Sequence, residues 1–332
     1  MEFLKYGFYL LVITQLLTGC ASNTGRITQE AGKNGVVVSN YNSRQQQENI
    51  YFTAAPRRVV AVWQNSVETL LALELKDRIV AAIGVPDADC IKEEYRADYR
   101  ALPIVSPQNL DCENILMLEP DFILGWSSTF TEKSIKTTDF WHSRGVNTYM
   151  AESSCGFKQE KRIEDEYRYI LDLGRIFSRE ERANQIVAQM QQEIARVRAG
   201  TRDKPKPRAL ILEFLGKDIR SYGQNTLAGD ILNKVNGELA DAEDTISYER
   251  LIEINPEVIF LVVSEDYYKD HDFLVDKLTG NDALQGVAAI KNKRVQVVPL
   301  YCVYGSATRT IDGIKLLARG LHPELYGEKK AE

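Results

Sequence analysis

The chain has 332 residues, of which 44% are hydrophobic and 27% charged, with a formal net charge of -6. The hydrophobic share is enough for a packed core, and the length exceeds what one core usually holds, so two domains are expected. The acidic balance and the lack of a basic cluster argue against nucleic acid as a partner.

The chain opens with Lys5, an apolar run from Tyr6 to Leu17, and the small residues Thr18 and Gly19 before Cys20. This is the pattern of a secretory signal ending in an acylated cysteine. The run is shorter than the roughly 20 apolar residues of a spanning helix. Residues 1–20 therefore read as a lipoprotein signal peptide and Cys20 as the lipidation site, palmitate included. The mature protein would be anchored to the membrane and face the periplasm or the cell exterior. Residues 21–54, rich in Gly, Asn, Ser and Gln, read as a flexible tether with one or two edge strands at its end, around Val36-Val37-Val38 and Ile50-Tyr51-Phe52.

Strands and helices then alternate. Arg58 to Trp63 predicts a buried strand, and Asn65 with Glu68 has the pattern of a capping box opening a helix from Val67 to Leu75. A strand from Ile79 to Ile83 follows, then a long polar loop carrying Tyr95 and Tyr99. A helix from Cys112 to Leu118, a strand from Phe122 to Gly125, a helix from Ser134 to Ser143 and a strand from Asn147 to Met150 complete the set. Such alternation implies a mainly parallel sheet with helices on both faces. After the amphipathic stretch Ile163 to Phe177, Ser178 and Glu181 predict a second capping box. It would open a helix to about Ala199, apolar at Ala183, Ile186, Val187, Met190, Ile194 and Val197. Pro205 and Pro207 stop it, and a second alternating set begins with a strand from Arg208 to Phe214. The expected division is an N-terminal lobe over 55–177, an interlobe helix over 178–203 and a C-terminal lobe over 204–332.

An internal repeat supports two lobes. The stretches from Asn109 to Leu124 and from Thr245 to Phe260 align without gaps at an offset of 136, pairing Glu113 with Glu249 and Pro120 with Pro256. Each copy reads as a helix, a proline stop and a buried strand.

Cys90, Cys112, Cys155 and Cys302 are even in number but lack metal-binding spacing; one disulfide among the first three and buried free thiols are both compatible with the sequence. Nucleotide-binding, nucleophile-elbow and zinc-protease motifs are absent, and His142, His271 and His322 are too scattered for a zinc triad, so no catalytic residue is assigned. Open α/β sheets bind ligands beyond the carboxyl ends of their strands. Applied to every strand, that rule selects Trp63, Gln64, Gln108, Trp126, Arg220, Tyr222, Tyr268, His271, Tyr301, Tyr304 and Arg309 as candidate ligand-binding residues. Aromatic faces among amide and guanidinium donors suit a large guest that is partly apolar and partly anionic. Tyr301 or Tyr304, once deprotonated, has the chemistry to bind ferric iron directly.

From Pro56 to Gly327 the chain resembles the ABC-transporter substrate-binding proteins for ferric siderophores, haem and cobalamin. Four stretches carry the likeness: Pro56 to Gly84, Asn109 to Gly125, Leu251 to Leu261, and Arg309 to Gly327. The resemblance implies two Rossmann-like lobes joined by one long helix, and a ligand rather than a cofactor between them. It implies a ferric siderophore first, haem or cobalamin next, and a permease dimer with its cytoplasmic ATPase as partner. Glu113 and Glu249 match the two acids that dock onto permease arginines in the family; the alternative is a pair of solvated acids at helix fronts. Arg309 matches an arginine that opens the last helix in many iron-complex binders, where pairing with the chelate and a structural salt bridge are equally compatible. A metal-cluster enzyme on the same lobe pair is the competing reading, and it would want clustered cysteines that this spacing does not provide.

Overall fold

The computed structural model describes residues 35–106, 111–241, 243–264, 267 and 270–327. The signal peptide and Cys20 lie outside the described residues. The N-terminal lobe is a five-stranded sheet in the order β5-β4-β3-β6-β7, formed by β3 (Val59–Val62), β4 (Ile79–Ile83), β5 (Val105–Ser106), β6 (Phe122–Gly125) and β7 (Asn147–Met150). Every pairing in it is parallel. Its central strands β3, β4 and β6 read as unbroken apolar runs because both faces are covered. Val59 and Ala61 enter one core cluster, whereas Val60 and Val62 enter the cluster on the opposite face with Ile123 and Trp141.

The helices of this lobe are α1 (Gln64–Ala72), α2 (Glu93–Arg100), α3 (Cys112–Met117) and α4 (Thr138–His142). Three differ from expectation. The stretch read as a polar loop contains α2, which buries Tyr99. The helix expected from Ser134 is confined to α4, because Lys136 takes a left-handed backbone (φ 79°) and the chain turns there. No capping box opens α1: it starts at Gln64, one residue after Trp63, itself left-handed at φ 71°.

Within the expected tether, residues 36–52 are ordered. β1 (Val36–Tyr41) and β2 (Gln47–Phe52) form an antiparallel hairpin fastened to the N-terminal lobe. The Asn40 side chain donates to the Met150 carbonyl at 3.0 Å and accepts from the Met150 N–H at 2.9 Å, so an amide serves as a strand partner for β7. The polar composition suggested slack chain, yet those polar groups make the attachment: Ser43 donates to the Phe130 carbonyl, and Asn147 donates to the Tyr51 carbonyl.

Two antiparallel helices, α5 (Ile163–Ile176) and α6 (Glu180–Gly200), lie between the sheets. The chain passes to the second lobe through α6, about 30 Å long at 1.5 Å per residue. Near its start Arg182 donates to the Ala72 carbonyl; further along Glu193 accepts from the Tyr326 hydroxyl. Ser178 is left-handed (φ 54°) and makes no cap, and the junction is instead set by Gly174, against which Ala183 packs too closely for a side chain. α5 also reaches both lobes. Its first amide, Ile163 N–H, donates to Asp230 of the C-terminal lobe, while Asp172 accepts from Tyr149 and Arg175 donates to the Val37 carbonyl on the N-terminal side.

The C-terminal sheet is mixed. β8 (Arg208–Leu215), β12 (Val258–Val263) and β13 (Val295–Pro299) run parallel; β9 (Asp218–Ser221) and β11 (Thr245–Ile246) add an antiparallel edge, and β10 (Glu238–Leu239) pairs parallel to the start of β8. Around it pack α7 (Leu227–Lys234), α8 (Tyr248–Ile254), α9 (Asp272–Thr279), α10 (Ala288–Lys291) and α11 (Thr310–Leu321). One continuous apolar cluster passes from Val59 and Leu70 through Leu173 and Met190 to Ala209, Phe260 and Ile314, so the two sheets share a core across α5 and α6. Cys90, Cys112, Cys155 and Cys302 form no disulfide among the described residues. No helix among the described residues is long and apolar enough to cross a membrane.

Candidate functional site

In the N-terminal sheet the connections from β3 and β6 depart in opposite directions, so the crevice for a ligand lies beyond the carboxyl ends of these two neighbouring strands. Trp63 follows β3 and Trp126 follows β6, and their rings stack with centroids 5.2 Å apart and planes 25° apart. Gly84 makes room for this, since a Cβ there would stand 2.9 Å from the Trp63 ring. The Trp63 Nε1–H donates to Thr129 Oγ1 at 3.0 Å, and the same oxygen accepts from the Trp126 N–H at 3.1 Å. Thr129, which no sequence signal marked, thus aligns both indoles.

The C-terminal lobe completes the row. Tyr304 meets the Trp126 ring edge-on, with centroids 5.4 Å apart. Gly305, left-handed at φ 53°, leaves space for the Trp126 indole, whose Nε1 a Cβ would approach to 3.0 Å. All three rings are half-buried, while the Trp126 Nε1 is buried without a hydrogen-bond partner. Aromatic contacts of this kind contribute about 0.5–1.5 kcal/mol each beyond the area buried. Burial raises the Tyr304 hydroxyl above its ordinary range, which favours the neutral phenol. In this state Tyr304 offers a ring edge and a hydroxyl, not the phenolate that direct ligation to iron requires.

Beneath the row, the loop after Tyr304 is clasped by the N-terminal lobe. Arg309 lies 3.4 Å from Glu68 of α1 and 3.0 Å from Asp312, with its guanidinium over the Tyr301 ring at 4.6 Å. Glu68 is fully buried; desolvation raises its pKa, and the charge of Arg309 opposes the rise. Ala307, left-handed at φ 44°, donates its N–H to Glu166 of α5. Glu166 is also buried, and desolvation raises its pKa to about 7 against hydrogen bonds from Ser153 and Ala307.

Four candidates prove to be internal, and two of them, Arg309 and Tyr301, belong to this clasp. Arg309 is spent on Glu68 and Asp312, and Tyr301 lies beneath it, only 8% exposed. Gln64 is buried and donates to the Cys90 carbonyl at 2.8 Å. Tyr222 is 1% exposed and donates its hydroxyl to Glu213 at 2.6 Å. Each sits near a strand end as the rule requires, yet each side chain is taken up by partners inside the protein. Arg220 is exposed, its guanidinium 5.0 Å from the Tyr222 ring centre, and His271 is half-buried just before α9. Gln108 and Tyr268 lie outside the described residues. No group of three His, Cys, Asp or Glu is gathered for a metal among the described residues.

The repeat is visible in detail. Asp111 caps α3 by accepting from the Asn114 N–H, and Ser247, 136 positions on, caps α8 by accepting from the Arg250 N–H. Glu119 and Asn255 are both left-handed, at φ 46° and 45°. Asp121 accepts the Arg57 and Arg58 amides, and Glu257 accepts the Arg208 amide. Glu113 and Glu249 stand exposed in the first turn of their helices, and the hydroxyl of Ser247 holds the Glu249 carboxyl below its usual range. Three residues after each, on the same helix face, is an exposed aliphatic: Leu116, 37% exposed, and Ile252, 44% exposed.

Comparison with known proteins agrees with this architecture. A family model described as periplasmic binding protein matches residues 59–300. An uncharacterized ABC transporter substrate-binding lipoprotein of Bacillus subtilis is 23% identical over 326 residues, covering 96% of this chain and 97% of that protein. The iron-uptake system-binding protein of the same organism is 23% identical over 303 residues, covering 88% and 90%. A crystal structure of a periplasmic binding protein from Veillonella parvula is 41% identical, with a TM-score of 0.85 over 90% of this chain and 95% of that one. The matched span runs from the first strand of the N-terminal lobe through β13, and so includes both sheets and the helices between them. This chain belongs to the periplasmic binding protein family.

Proposed function

We propose that this protein is the substrate-binding lipoprotein of an ABC importer, capturing a ferric siderophore between its lobes and delivering it to a membrane permease. The observation that carries this reading is the aromatic row Trp63, Trp126 and Tyr304, assembled from both lobes at the sheet's ligand crevice. The iron-uptake relative supports the choice of cargo. The exposed acids Glu113 and Glu249, repeated at one position of each lobe, suit a two-fold permease whose cations meet them in register. Cys20 would carry the lipid that holds the protein at the membrane.

Because α5 and α6 bridge the lobes and share their core, cargo binding should rock the lobes only slightly. Titrating the protein, freed of its signal peptide, with ferric siderophores, haem and cobalamin should change tryptophan emission on binding of one class. If none of them changes it at micromolar protein, the reading fails.

A further inference from the structure

The turn that follows Tyr304 touches its surroundings at every second residue. Gly305 lies against the Trp126 indole, the Ala307 N–H donates to Glu166 of α5, and Arg309 reaches Glu68 of α1. The intervening Ser306, Thr308 and Thr310 are buried, and their hydroxyls have no hydrogen-bond partner among the described residues. Gly305 and Ala307 are both left-handed, at φ 53° and 44°, a conformation that an alanine keeps only where its surroundings hold it. A seam of unpartnered hydroxyls and a strained turn parts more readily than the apolar core beside it, because water satisfies each hydroxyl once the seam opens.

The two acids that hold this turn differ. Glu68 faces the Arg309 guanidinium at 3.4 Å. Glu166, only 1% exposed, meets the turn through a backbone amide: its Oε2 accepts from Ala307, and its Oε1 is buried without a partner. Asp165 and Tyr169 face it from its own helix, Ser153 and Lys158 from the chain before α5, and the Ala307 amide from the C-terminal lobe. Lys158 is bound to Glu152 and Asp165 instead. A carboxyl so placed is held more easily as the neutral acid, and its folded-state pKa of about 7 agrees with that.

We propose that Glu166 and the turn from Gly305 to Arg309 form a proton-operated latch: neutral Glu166 keeps α5 closed on the turn, and its ionisation loosens the turn and draws Tyr304 away from Trp126. Opening hydrates Glu166 and returns its pKa towards the ordinary 4.5, so the closed form binds the proton more tightly than the open one. Closure is therefore favoured on the acid side and is lost as pH rises through 7. With those two values the ratio of closed to open protein falls about ten-fold between pH 6 and pH 8. Because Tyr304 and Gly305 lead directly into the turn, the state of Glu166 is read out at the aromatic row.

The test uses the cargo-free protein, freed of its signal peptide, so its outcome does not depend on what the crevice binds. Hydrogen exchange of the Ala307 amide, corrected for the intrinsic rate at each pH, should quicken about ten-fold from pH 6 to pH 8, and tryptophan emission should change with the same midpoint near 7. Glu166→Gln stays neutral and keeps an oxygen for the Ala307 amide, so it should abolish both steps and retain at pH 8 the protection seen at pH 6. A step contributed by a histidine, such as His142 against Glu48 or His322 against the Val235 carbonyl, would persist in Glu166→Gln, and a persisting step overturns the latch. If Glu166→Gln does not fold, Ser153→Ala removes a hydroxyl that stabilises the carboxylate and should move the midpoint upward; an unmoved midpoint, or protection that grows with pH, also overturns it.

Discussion

The two lobes are built on one repeated unit, and they differ where the site is. The shared part is the helix, its N-cap at Asp111 or Ser247, the left-handed stop at Glu119 or Asn255, and the strand whose opening acid accepts an amide of its neighbour. The N-terminal sheet is wholly parallel and presents two indoles. The C-terminal sheet adds the antiparallel strand β9, which carries Arg220, and a loop after β13 that crosses to the other lobe. Symmetry thus gives the molecule a matched pair of exposed acids, while departures from symmetry give one lobe a pair of stacked indoles and the other a loop that crosses to its neighbour.

The largest expected effect is on the symmetric part. Reversing both acids, Glu113→Arg with Glu249→Arg, should abolish uptake in cells while cargo affinity stays unchanged; intact transport would remove the docking role. A single reversal should leave partial uptake if the lobes act as a pair.

The asymmetric clasp comes next. Removing Glu68 leaves Arg309 buried beside Asp312 alone, a change that typically costs about 3–5 kcal/mol. Glu68→Ala should lower the denaturation midpoint accordingly, and Glu68→Met with Arg309→Met should recover much of the loss. The aromatic row should follow: Trp126→Ala would remove the ring that touches both others and weaken cargo binding about 10- to 100-fold, with folding retained.

The last expected effect is a pH dependence carried by Glu166. Glu166 has a folded-state pKa of about 7, above the ordinary 4.5, so the folded protein binds its proton more tightly than the unfolded chain does. Stability should therefore fall as pH rises from 4.5 to 7 and then level off, by up to ~3 kcal/mol for this one group. Glu166→Gln should flatten that slope in melting temperature measured across the same range; an unchanged slope would show that Glu166 is not the titrating group.

Much of the frame was legible because it rests on local, periodic signals. The apolar runs at β3, β6 and β12, the proline stops, and the helix from Thr310 to Leu321 follow from residue order alone. The carboxyl-end rule singled out Trp63, Trp126 and Tyr304, whose rings the structure brings into contact. It also singled out Tyr222, Tyr301 and Arg309, since proximity to a strand end does not say whether the rest of the protein takes up a side chain. Glu68 read as a helix cap because Asn65 and Glu68 have cap spacing, whereas its carboxylate turns across the lobe boundary to Arg309.

The sequence by itself determined the two α/β lobes, their repeat, the long helix between them and the paired acids, because periodicity, prolines and self-similarity are properties of neighbouring residues. Only the tertiary structure decided which strand-end side chains face the crevice, that residues 36–52 form a fastened hairpin, and that α5 braces the lobes beside α6. Those outcomes depend on contacts between residues far apart in the chain, such as Asn40 with Met150 and Glu68 with Arg309, and on which buried charges find partners there.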